Sequence, residues 1–460
     1  MSNTRSEGIA SPYPSATYAS YATFMLFVAY TLGSIDRTIL SLMVDPVRAD
    51  LDLSDFEISL LQGLAFAILY SAAGIPIGRL TDRVNRRNLL AGGIAFWCVA
   101  TASCGLASNF MQLFIARMGV GVGEATLGPT SASIISDYFA PAKRALALSI
   151  YHLGYPVGGG LALIIGAAVL DSMSGMETVS LGFLGEFKPW QMAFFVVGVP
   201  GLVIAALMFT IKEPKRLGMI EVESQQNQNK VSFKELGHYI NDRKRAYYSL
   251  YISVSLLGTL AYGTTMWYPV FFIRTYGMSA SEAGYAYGLM VGIVGSLGLI
   301  TGGMLSRYWA DKGYKDANLR VMIVSVSCKM IPLAIAPLMP TAEWALLMLV
   351  PGTFFGQMAP GVNGAALQNI TPNQMRGQVL VISGFFSTAI GLGLGGILIA
   401  SITDFVFEDD SALRYSLSIA VVIIAPIILG ILFYAIRHYK YYVEEAEAWD
   451  GMELKSASNI

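Results

Sequence analysis

Twelve stretches of about twenty mostly apolar residues follow one another along the chain, and this pattern restricts the fold more than any other feature. Each stretch is long enough to cross the hydrocarbon core of a bilayer as a helix. The 460 residues are 54% hydrophobic and only 13% charged, about half the charge of an ordinary soluble domain. The sequence therefore predicts an all-α membrane protein. Its predicted spans are 19–44, 54–78, 88–107, 110–136, 145–170, 190–211, 246–273, 280–305, 320–339, 343–369, 377–402 and 412–437.

The spans divide into six and six around one long polar loop, 212–245. This division predicts two pseudo-symmetric six-helix bundles, 19–211 and 246–437, with polar tails at 1–18 and 438–460. The first 18 residues lack the apolar core of a signal peptide, so no cleaved leader is expected. In the loop, SFKE at 232–235 has the pattern of a capping box and predicts a short surface helix.

The basic residues indicate how the chain is oriented. With the amino terminus inside, 23 of the 30 Lys and Arg residues fall in cytoplasmic segments and four fall in outer loops. Cytoplasmic loops of membrane proteins carry this excess of positive charge. Both termini are therefore predicted to be cytoplasmic.

Two loops at corresponding places in the two halves resemble each other. The loop after the second span reads GRLTDRVNRR at 78–87, and the loop after the eighth reads GGMLSRYWADKG at 302–313. An internal repeat of this kind indicates duplication. Duplicated six-helix halves are typical of transporters that bind cargo at mid-depth between the halves.

Four charged residues lie inside predicted spans of the first half, away from the span ends: Asp36, Arg37, Arg117 and Glu124. Such groups are costly in a membrane and usually serve function or pair with one another. Arg117 and Glu124 are seven residues apart, so they share a helix face but are too distant for a simple pair along the helix. Asp36 and Arg37 are adjacent, so their side chains diverge by about 100°. Each charge needs a partner on another helix, a water or a ligand.

The segment GRLTDRVNRR resembles the signature that the major facilitator superfamily carries between helices 2 and 3, with Asn85 where a glycine is usual. Within that superfamily the chain resembles the Spinster group. The similar stretches are IDRTIL at 35–40, LLQGLAFAILYSAAGIPIGRLTDRVNRR at 60–87, RMGVGVGEA at 117–125 and SDYFAPAKR at 136–144.

This resemblance implies a rocker-switch transporter of the plasma membrane, the inner membrane in a bacterium, working as a monomer. Spinster cargo is a lysophospholipid or a similar amphiphile, and proton coupling is expected. Helices 1 and 4 line the central cavity of this fold. The expected partners are thus an amphiphilic substrate, protons and the bilayer.

In the functional interpretation, Glu124 and Asp36 carry protons because the cavity around them alternately fills with and loses water. Arg117 and Arg37 bind the headgroup, since a guanidinium suits phosphate or carboxylate. A headgroup could displace a carboxylate from an arginine and so couple cargo to proton. The alternative is that Arg37–Asp36 and Arg117–Glu124 are structural ion pairs.

The signature loop and the nearby ends of spans 4 and 5 predict a cytoplasmic gate. Ion pairs there would close the inner side and break when the halves rock. Several of the arginines could instead serve only as positive-inside residues. The predicted gate residues are Gly78, Asp82, Arg83, Arg86, Arg87, Asp137 and Arg144.

Two glycine-rich segments predict close helix packing. Gly119 and Gly123 form the GxxxG pattern that lets membrane helices approach each other. GYPVGGG at 154–160 resembles the antiporter signature of the superfamily but lacks its Gly-Pro dipeptide. Pro156, between Gly154 and Gly158, should kink span 5. That kink would serve packing or act as a hinge.

The second half supplies few charges, so its cavity wall is predicted to be aromatic and Met-rich, suited to an acyl tail. Ordinary packing is the alternative for each of these residues. Lys329 is the only charge away from the ends of the spans of this half, and we expect it to snorkel towards an interface or to pair in the cavity. The predicted wall residues are Tyr262, Trp267, Phe271, Phe354, Gln357, Met358 and Asn363.

Other classes of function find little support in the sequence. Neither a nucleophile–base set nor a metal triad occurs at usable spacing, so we expect no enzyme, no catalytic residue, no metal and no cofactor apart from the coupling proton. The net charge of −1 gives no basic field for nucleic acid. The open alternatives are a transporter of small organic anions or drugs, and an uncoupled channel or scramblase.

Overall fold

The computed structural model describes residues 13–182, 185–216 and 233–457. These ranges fold into fourteen helices and one small antiparallel hairpin of two strands, Val179–Ser180 and Glu186–Phe187. The predicted all-α architecture is confirmed. Nine helices of the described ranges are long and apolar enough to cross a membrane.

The fourteen helices follow the predicted spans, with two short additions. They are α1 (Ala16–Leu42), α2 (Val44–Leu51), α3 (Asp55–Thr81), α4 (Arg86–Cys104), α5 (Phe110–Glu124 and Leu127–Tyr138), α6 (Pro141–His152 and Gly154–Ser172), α7 (Pro189–Thr210), α8 (Phe233–Asp242), α9 (Lys244–Tyr276), α10 (Ala280–Asp311), α11 (Ala317–Leu338), α12 (Ala342–Gln368), α13 (373–407) and α14 (Leu413–Ala457).

Several helices contain a break in regular α geometry, and these breaks matter for the site. The α-helical part of α1 ends at Thr38 and continues as a 3₁₀ turn, Ile39–Leu42. A π-helical turn, Leu60–Leu64, lies in α3, and a similar turn, Met290–Val294, lies in α10. Such turns change the hydrogen-bond register and free backbone carbonyls for other donors.

The helices α3 and α10 also begin in the same way. Each starts with a capping box, Ser54 with Glu57 and Ser279 with Glu282. In a capping box each side chain bonds the other residue's backbone N–H. The shared cap and the shared π-helical turn support the internal repeat seen in the sequence.

The halves α1–α7 and α9–α14 meet mainly along two lines, α6 against α10 and α3 against α13. These lines run from mid-height to the end of the bundle that holds Arg274, called here the Arg274 end. The opposite end holds residues 78–87 and is called the motif end. There, a Cβ built on Gly74, Gly78, Gly377 or Gly384 would meet no atom within 4 Å. The halves therefore diverge towards the motif end.

The core is one large apolar cluster that runs through both halves, with a second cluster at the motif end of the second half. The second cluster joins α8 to α9, α11, α12 and α14. Tyr239 of α8 and Tyr247 of α9 both donate to the Ile370 carbonyl, at 3.0 and 3.1 Å. The predicted surface helix in the loop is thus present as α8, while Ser232 of its expected capping box lies outside the described residues.

The boundary predicted at residue 438 does not appear as a break. Helix α14 continues without interruption to Ala457. Its extension is held to the bundle by a hydrogen bond from the Tyr439 hydroxyl to the Ala366 carbonyl (2.7 Å) and by an ion pair between Glu445 and Arg243. The predicted tail 438–460 is therefore, as far as Ala457, helix.

Candidate functional site: an arginine–glutamate pair between the two halves

The adjacent residues Asp36 and Arg37 point in different directions, as their spacing predicts. The Asp36 carboxyl is buried and lies near Thr101 of α4 and Arg117 of α5. The Arg37 side chain keeps 13% of its surface exposed and lies among Tyr30, Tyr70 and Tyr262. On this turn of α1, Asp36 therefore faces the interior of the first half, and Arg37 faces the space between the halves.

Arg37 pairs with Glu124. Its Nε donates to Glu124 Oε2 at 2.6 Å, and the glutamate side chain is fully buried. Gly33 makes this approach possible, because a Cβ there would lie 3.2 Å from Glu124 Oε2. Glu124 ends the first segment of α5, where the helix breaks at Ala125–Thr126. The two pairings that the sequence left open, Arg37 with Asp36 and Arg117 with Glu124, are not the ones formed.

Arg117 is fully buried and binds backbone rather than a carboxylate. Its Nη1 donates to the Asp36 carbonyl at 2.9 Å, and its Nε donates to the Leu61 carbonyl at 3.4 Å. Leu61 lies in the π-helical turn of α3, and Asp36 precedes the 3₁₀ turn of α1. Arg117 thus joins α1, α3 and α5 at the carbonyls that these irregular turns leave available.

The Asp36 carboxyl has no strong partner in the described part of the chain. Neither of its oxygens makes a hydrogen bond of normal geometry, although Glu124, Arg117 and Thr101 lie close enough to interact with it. Burial of a carboxyl without full hydrogen bonding is costly and rare. Protonation of the Asp36 carboxyl would remove its charge and so lower this cost.

Aromatic rings surround the Arg37 guanidinium. Its Cζ lies 5.3 Å from the Phe66 ring centroid and 5.7 Å from that of Tyr70, within the range of cation–π attraction. Across the interface, Tyr155 of α6 meets Tyr262 of α9 edge-on, with centroids 6.3 Å apart. Of these rings, only Tyr262 was a candidate from the sequence.

The remaining predicted wall residues divide between cavity and core. Trp267, Phe271 and Met358 are buried, and the Trp267 indole donates to the Gly396 carbonyl at 3.1 Å. These three residues pack between helices in this conformation. Phe354, Gln357 and Asn363 are half-buried, and Asn363 Oδ1 makes no hydrogen bond among the described residues.

Lys329 does not snorkel to an interface. It is 2% exposed and lies against α12, where a Cβ on Gly356 would be 3.8 Å from its Cδ. The described residues contain no ion pair with Lys329. Its stem is thus enclosed between α11 and α12.

At the motif end, three of the predicted gate residues form a network. Arg86 is at its centre, with Asp137 and Arg87. Arg86 is buried and pairs with Asp137, with Glu213 (2.7 Å) and with the Pro214 carbonyl (3.0 Å). Glu213 also accepts from the backbone N–H of Arg87 at 3.0 Å. This network ties α4 to α5 and to the segment after α7.

The other predicted gate residues stand apart from that network in this conformation. Arg144 donates to the Phe139 carbonyl at 2.9 Å and does not pair with Asp137. Asp82 and Arg83 are exposed and form no ion pair within the part of the chain that the structure describes. Gly78 faces open space. Their exposure agrees with the separation of the halves at this end.

A second charged network, which sequence reasoning missed, closes the Arg274 end. Arg274 Nη2 pairs with Asp45 at 2.7 Å, and its Nη1 pairs with the fully buried Asp55 at 2.6 Å. Arg48 pairs with Asp410. Because Asp45, Arg48 and Asp55 belong to the first half, these pairs join the halves.

Each arginine of this network also has a nearby carboxylate in its own half. Arg48 lies 3.4 Å from Asp55, and Arg274 lies 4.0 Å from Asp410. The backbone N–H of Phe56 donates to Asp404 at 2.8 Å. The only signals in the sequence were single charges at helix ends, and these do not indicate contacts more than two hundred residues apart.

Glycines form the contacts that the sequence predicted for packing. Gly123 approaches α4, where a Cβ would lie 2.6 Å from that of Trp97. Gly154 meets the Phe27 carbonyl of α1 at 3.0 Å by the same measure, and Gly158 packs against Thr31. Gly119 meets Ala100. These positions hold helices of the first half together.

The contact between halves uses Gly160, which the sequence did not single out. A Cβ there would lie 2.5 Å from the Gly288 carbonyl oxygen and 2.7 Å from Gly292. Pro156 also faces the second half, with its Cβ 3.4 Å from the position a Cβ would take on Gly295. The helix breaks at Leu153, one turn before Pro156, because the proline ring crowds the carbonyl four residues earlier.

Comparison with known proteins decides the family. The model of the Major Facilitator Superfamily matches residues 26–396. The chain belongs to the Major Facilitator Superfamily. It is therefore an integral multi-pass membrane protein and a transporter rather than an enzyme.

Relatives within the superfamily differ in what they carry. An MFS-type efflux pump of Mycolicibacterium smegmatis is 25% identical over 92% of this chain and 94% of its own. A probable galactarate/D-glucarate transporter of Bacillus subtilis is 25% identical over 80% of this chain and 81% of its own. The protein spinster of Drosophila melanogaster is 26% identical over 74% of this chain and 54% of its own.

Among solved structures, a bacterial homologue of the human lysosomal transporter Spinster has the same fold. That crystal structure, in an inward-facing and unoccupied conformation, gives a TM-score of 0.71 at 24% identity. The match covers 94% of this chain and 98% of the other. The match to protein spinster confirms the resemblance to the Spinster group inferred from the sequence, and the solved structure shows the shared fold.

Proposed function

We propose that this protein is a proton-coupled secondary transporter of a lysophospholipid or similar amphiphile, working by alternating access. The observation that carries the proposal is the Arg37–Glu124 pair. It joins α1 to α5 at 2.6 Å, beside the line where the halves meet. Its arginine is partly open to the space between the halves, and its glutamate is fully buried. A charged headgroup can reach the arginine of such a pair, and a proton can neutralise the glutamate once the pair separates.

The coupling proposed is competition at Arg37. An anionic headgroup that binds the guanidinium displaces the Glu124 carboxylate. The displaced carboxylate, buried and without its partner, takes up a proton because an unpaired charge there is costly. Asp36 is the second proposed proton site, since its oxygens lack full hydrogen bonding. Arg117, engaged with two carbonyls, is proposed to position α1 and α3 rather than to bind the headgroup.

The proposed topology has twelve membrane-crossing helices, with α2 and α8 outside the bilayer core and both termini in the cytoplasm of a plasma-membrane protein. The excess of Lys and Arg near the motif end supports this orientation. The conformation described is then open to the cytoplasm and closed outside by the Arg274 network. Asp82 and its neighbours are proposed to pair only when the inner side closes.

The two walls of the site differ in chemistry, and this difference favours an amphiphile. The first half contributes the charged groups at Arg37, whereas the second half contributes Tyr262 and the half-buried Phe354 and Gln357. A cargo with a charged head and an apolar tail satisfies both walls. We propose that the transporter acts as a monomer, because the six-plus-six bundle contains the whole site.

A second candidate keeps the mechanism and changes the cargo. One guanidinium suffices for a small carboxylate, and a relative named as a galactarate/D-glucarate transporter gives a specific reason to test sugar acids. The efflux pump among the relatives makes a drug-like cargo a further test compound. An uncoupled channel or scramblase would move cargo without regard to a pH gradient.

The test is proton movement into proteoliposomes that contain a pH-sensitive dye, on addition of a lysophospholipid. We expect a cargo-dependent proton flux that Glu124→Gln abolishes. Glu186→Gln, an exposed carboxylate in the hairpin, is the matched control and should behave as wild type. Flux with galactarate but none with lysolipid would favour the second candidate. Cargo movement without proton flux would overturn coupling.

A further inference from the structure

We infer that a groove between α9 and α14, at the motif end of the second half, binds an anionic phospholipid of the surrounding membrane leaflet. The groove has a volume of about 420 Å³, a size typical of small-molecule sites. Every described residue that lines it belongs to one of these two helices. The site is thus separate from the space around Arg37, and the inference goes beyond the proposed function.

The groove exists because α9 and α14 pack through one face of each helix and leave the adjacent face open. Tyr247 and Tyr251 of α9 and Tyr439 of α14 are buried in the second apolar cluster. The residues that follow the first two along α9, Tyr248 and Ile252, are instead about half exposed. These two side chains form one wall of the groove.

Gly430 gives the groove its depth on the side of α14. It is exposed, and a Cβ built there would meet no atom within 4 Å. A glycine inside a helix is less stable than alanine, and no close helix contact at Gly430 requires one. The consequence of the glycine is therefore open space, which Tyr434 borders one turn further along the helix.

The lining changes from charged to apolar along the groove. Lys244 and Arg245 begin α9, Tyr248 follows about one turn later, and Ile252 follows one turn after that. These residues span about 12 Å along the helix axis. A phospholipid presents the same order of groups, first the phosphate, then the ester region, where tyrosine is favoured, and then the acyl chains. A soluble anion would contact only the charged end, so the lining favours a lipid.

The two cations at the charged end are free to bind a ligand. Lys244 and Arg245 are exposed and form no ion pair in the part of the chain that the structure describes. Arg243, directly before them, pairs with Glu445 and so serves the fold instead. The positive end of the α9 dipole lies at the same place. Basic pockets between membrane helices bind the headgroups of anionic lipids in this way.

The experiment compares two lipids with the same tails, anionic dioleoylphosphatidylglycerol and uncharged dioleoylphosphatidylcholine. Their binding to the purified full-length protein in detergent is measured by native mass spectrometry. Each basic residue near an anionic lipid adds about fivefold in affinity, so wild type should bind phosphatidylglycerol at least about tenfold more tightly. The double variant Lys244→Gln with Arg245→Gln should lose about tenfold or more for phosphatidylglycerol and less than about threefold for phosphatidylcholine.

The matched control for charge is Arg307→Gln with Lys312→Gln. These residues are exposed at the motif end of α10 and do not line the groove. The control removes the same charge from the same end of the bundle and should bind phosphatidylglycerol as wild type does. An equal loss in both double variants would mean that general surface charge attracts the lipid, and it would overturn the inference.

A second variant tests the shape of the groove without changing its charge. Gly430→Leu places a side chain in the open space and should weaken binding of both lipids without lowering the unfolding temperature. Gly92→Leu is its control, because a Cβ on Gly92 also meets no atom within 4 Å. Undiminished binding of phosphatidylglycerol in Gly430→Leu would show that the lipid does not occupy the groove.

Two further results would contradict the inference. Displacement of phosphatidylglycerol by millimolar inorganic phosphate would identify a site for a soluble anion. Loss of phosphatidylglycerol binding in Arg37→Gln, with binding retained in the groove variants, would place the lipid between the halves. Because none of these measurements uses transport, the inference and the proposed function stand or fall separately.

Discussion

Arg274 of the second half lies 2.6 Å from Asp55 of the first half, and the Asp55 side chain is fully buried. Substitution by Arg274→Gln removes the guanidinium that also holds Asp45. Truncating one partner of a buried pair costs about 2–5 kcal/mol, so the conformation closed at this end should become less populated. We expect the distance between spin labels at Glu177→Cys and Thr341→Cys, in a Cys328→Ser background, to increase.

The control for this measurement is Arg307→Gln. Arg307 is exposed at the motif end of α10 and pairs only loosely with Asp311, at 3.8 Å, so its loss should leave the label distance unchanged. An unaltered distance in Arg274→Gln would show that the remaining contacts, among them the Arg48–Asp410 pair, are sufficient to keep this end closed.

Arg117 and Arg37 should respond differently to the same change, lysine for arginine. Lysine at 117 cannot reach both the Asp36 and Leu61 carbonyls, so Arg117→Lys should reduce the free energy of unfolding by about 1–3 kcal/mol with little effect on affinity for dodecyl phosphate. Arg37→Lys should do the reverse and weaken that affinity about tenfold, because lysine lacks the planar fork. Thermal unfolding and titration on the same preparations give both readings.

The contrary result would change the assignment. If Arg117→Lys unfolded at the wild-type temperature and bound the phosphate tenfold more weakly, Arg117 would be a headgroup ligand, as the sequence first indicated.

Gly160 should tolerate no side chain. A methyl group there would meet the Gly288 carbonyl at 2.5 Å, and this contact must open to fit it. Overpacking of this kind costs about 1–3 kcal/mol, so Gly160→Ala should lower the unfolding temperature and slow transport at least about tenfold. Gly92→Ala is the matched control, since a Cβ on Gly92 meets no atom within 4 Å. Equal behaviour of the two variants would mean that α6 and α10 are not in firm contact.

Arg86 should hold the segment after α7 in place. Arg86→Gln removes the ion pair to Glu213 and the hydrogen bond to the Pro214 carbonyl. Amide hydrogen exchange over 207–216 should then rise at least about tenfold, because local opening becomes easier. Arg83→Gln makes a close control, because Arg83 is exposed and its side chain forms no hydrogen bond or ion pair in the part of the chain that the structure describes. Similar exchange in both variants would place the anchor elsewhere.

The sequence was sufficient for the architecture because membrane spans are specified by local composition. The spans at Asp36 and Glu124 were recognisable, and so was the divergence of Asp36 from Arg37. The pairing of Arg37 with Glu124 was not predictable, since it depends on how α1 packs against α5 and on the space that Gly33 leaves.

The role of Arg117 was hidden for a different reason. Its partners are backbone carbonyls, and those exist as acceptors only because α1 and α3 leave regular α geometry at Ile39–Leu42 and Leu60–Leu64. The residue types in these segments do not predict a 3₁₀ or a π-helical turn. Arg274 and Asp55 were likewise missed, because their contact joins two helix ends that are far apart in sequence.

The close approach of α6 and α10 at Gly160 and Gly288 has a consequence for the speed of the transporter. Bare backbone meets bare backbone at these two glycines, so no side chain of either residue must move before one helix rolls over the other. The two helices can therefore move over each other at this contact with little resistance. The activation barrier should then arise chiefly from separating the charges around Arg274. Turnover should quicken as salt screens the more exposed Arg48–Asp410 pair, and should change little with the size of the side chains that flank the glycine contact.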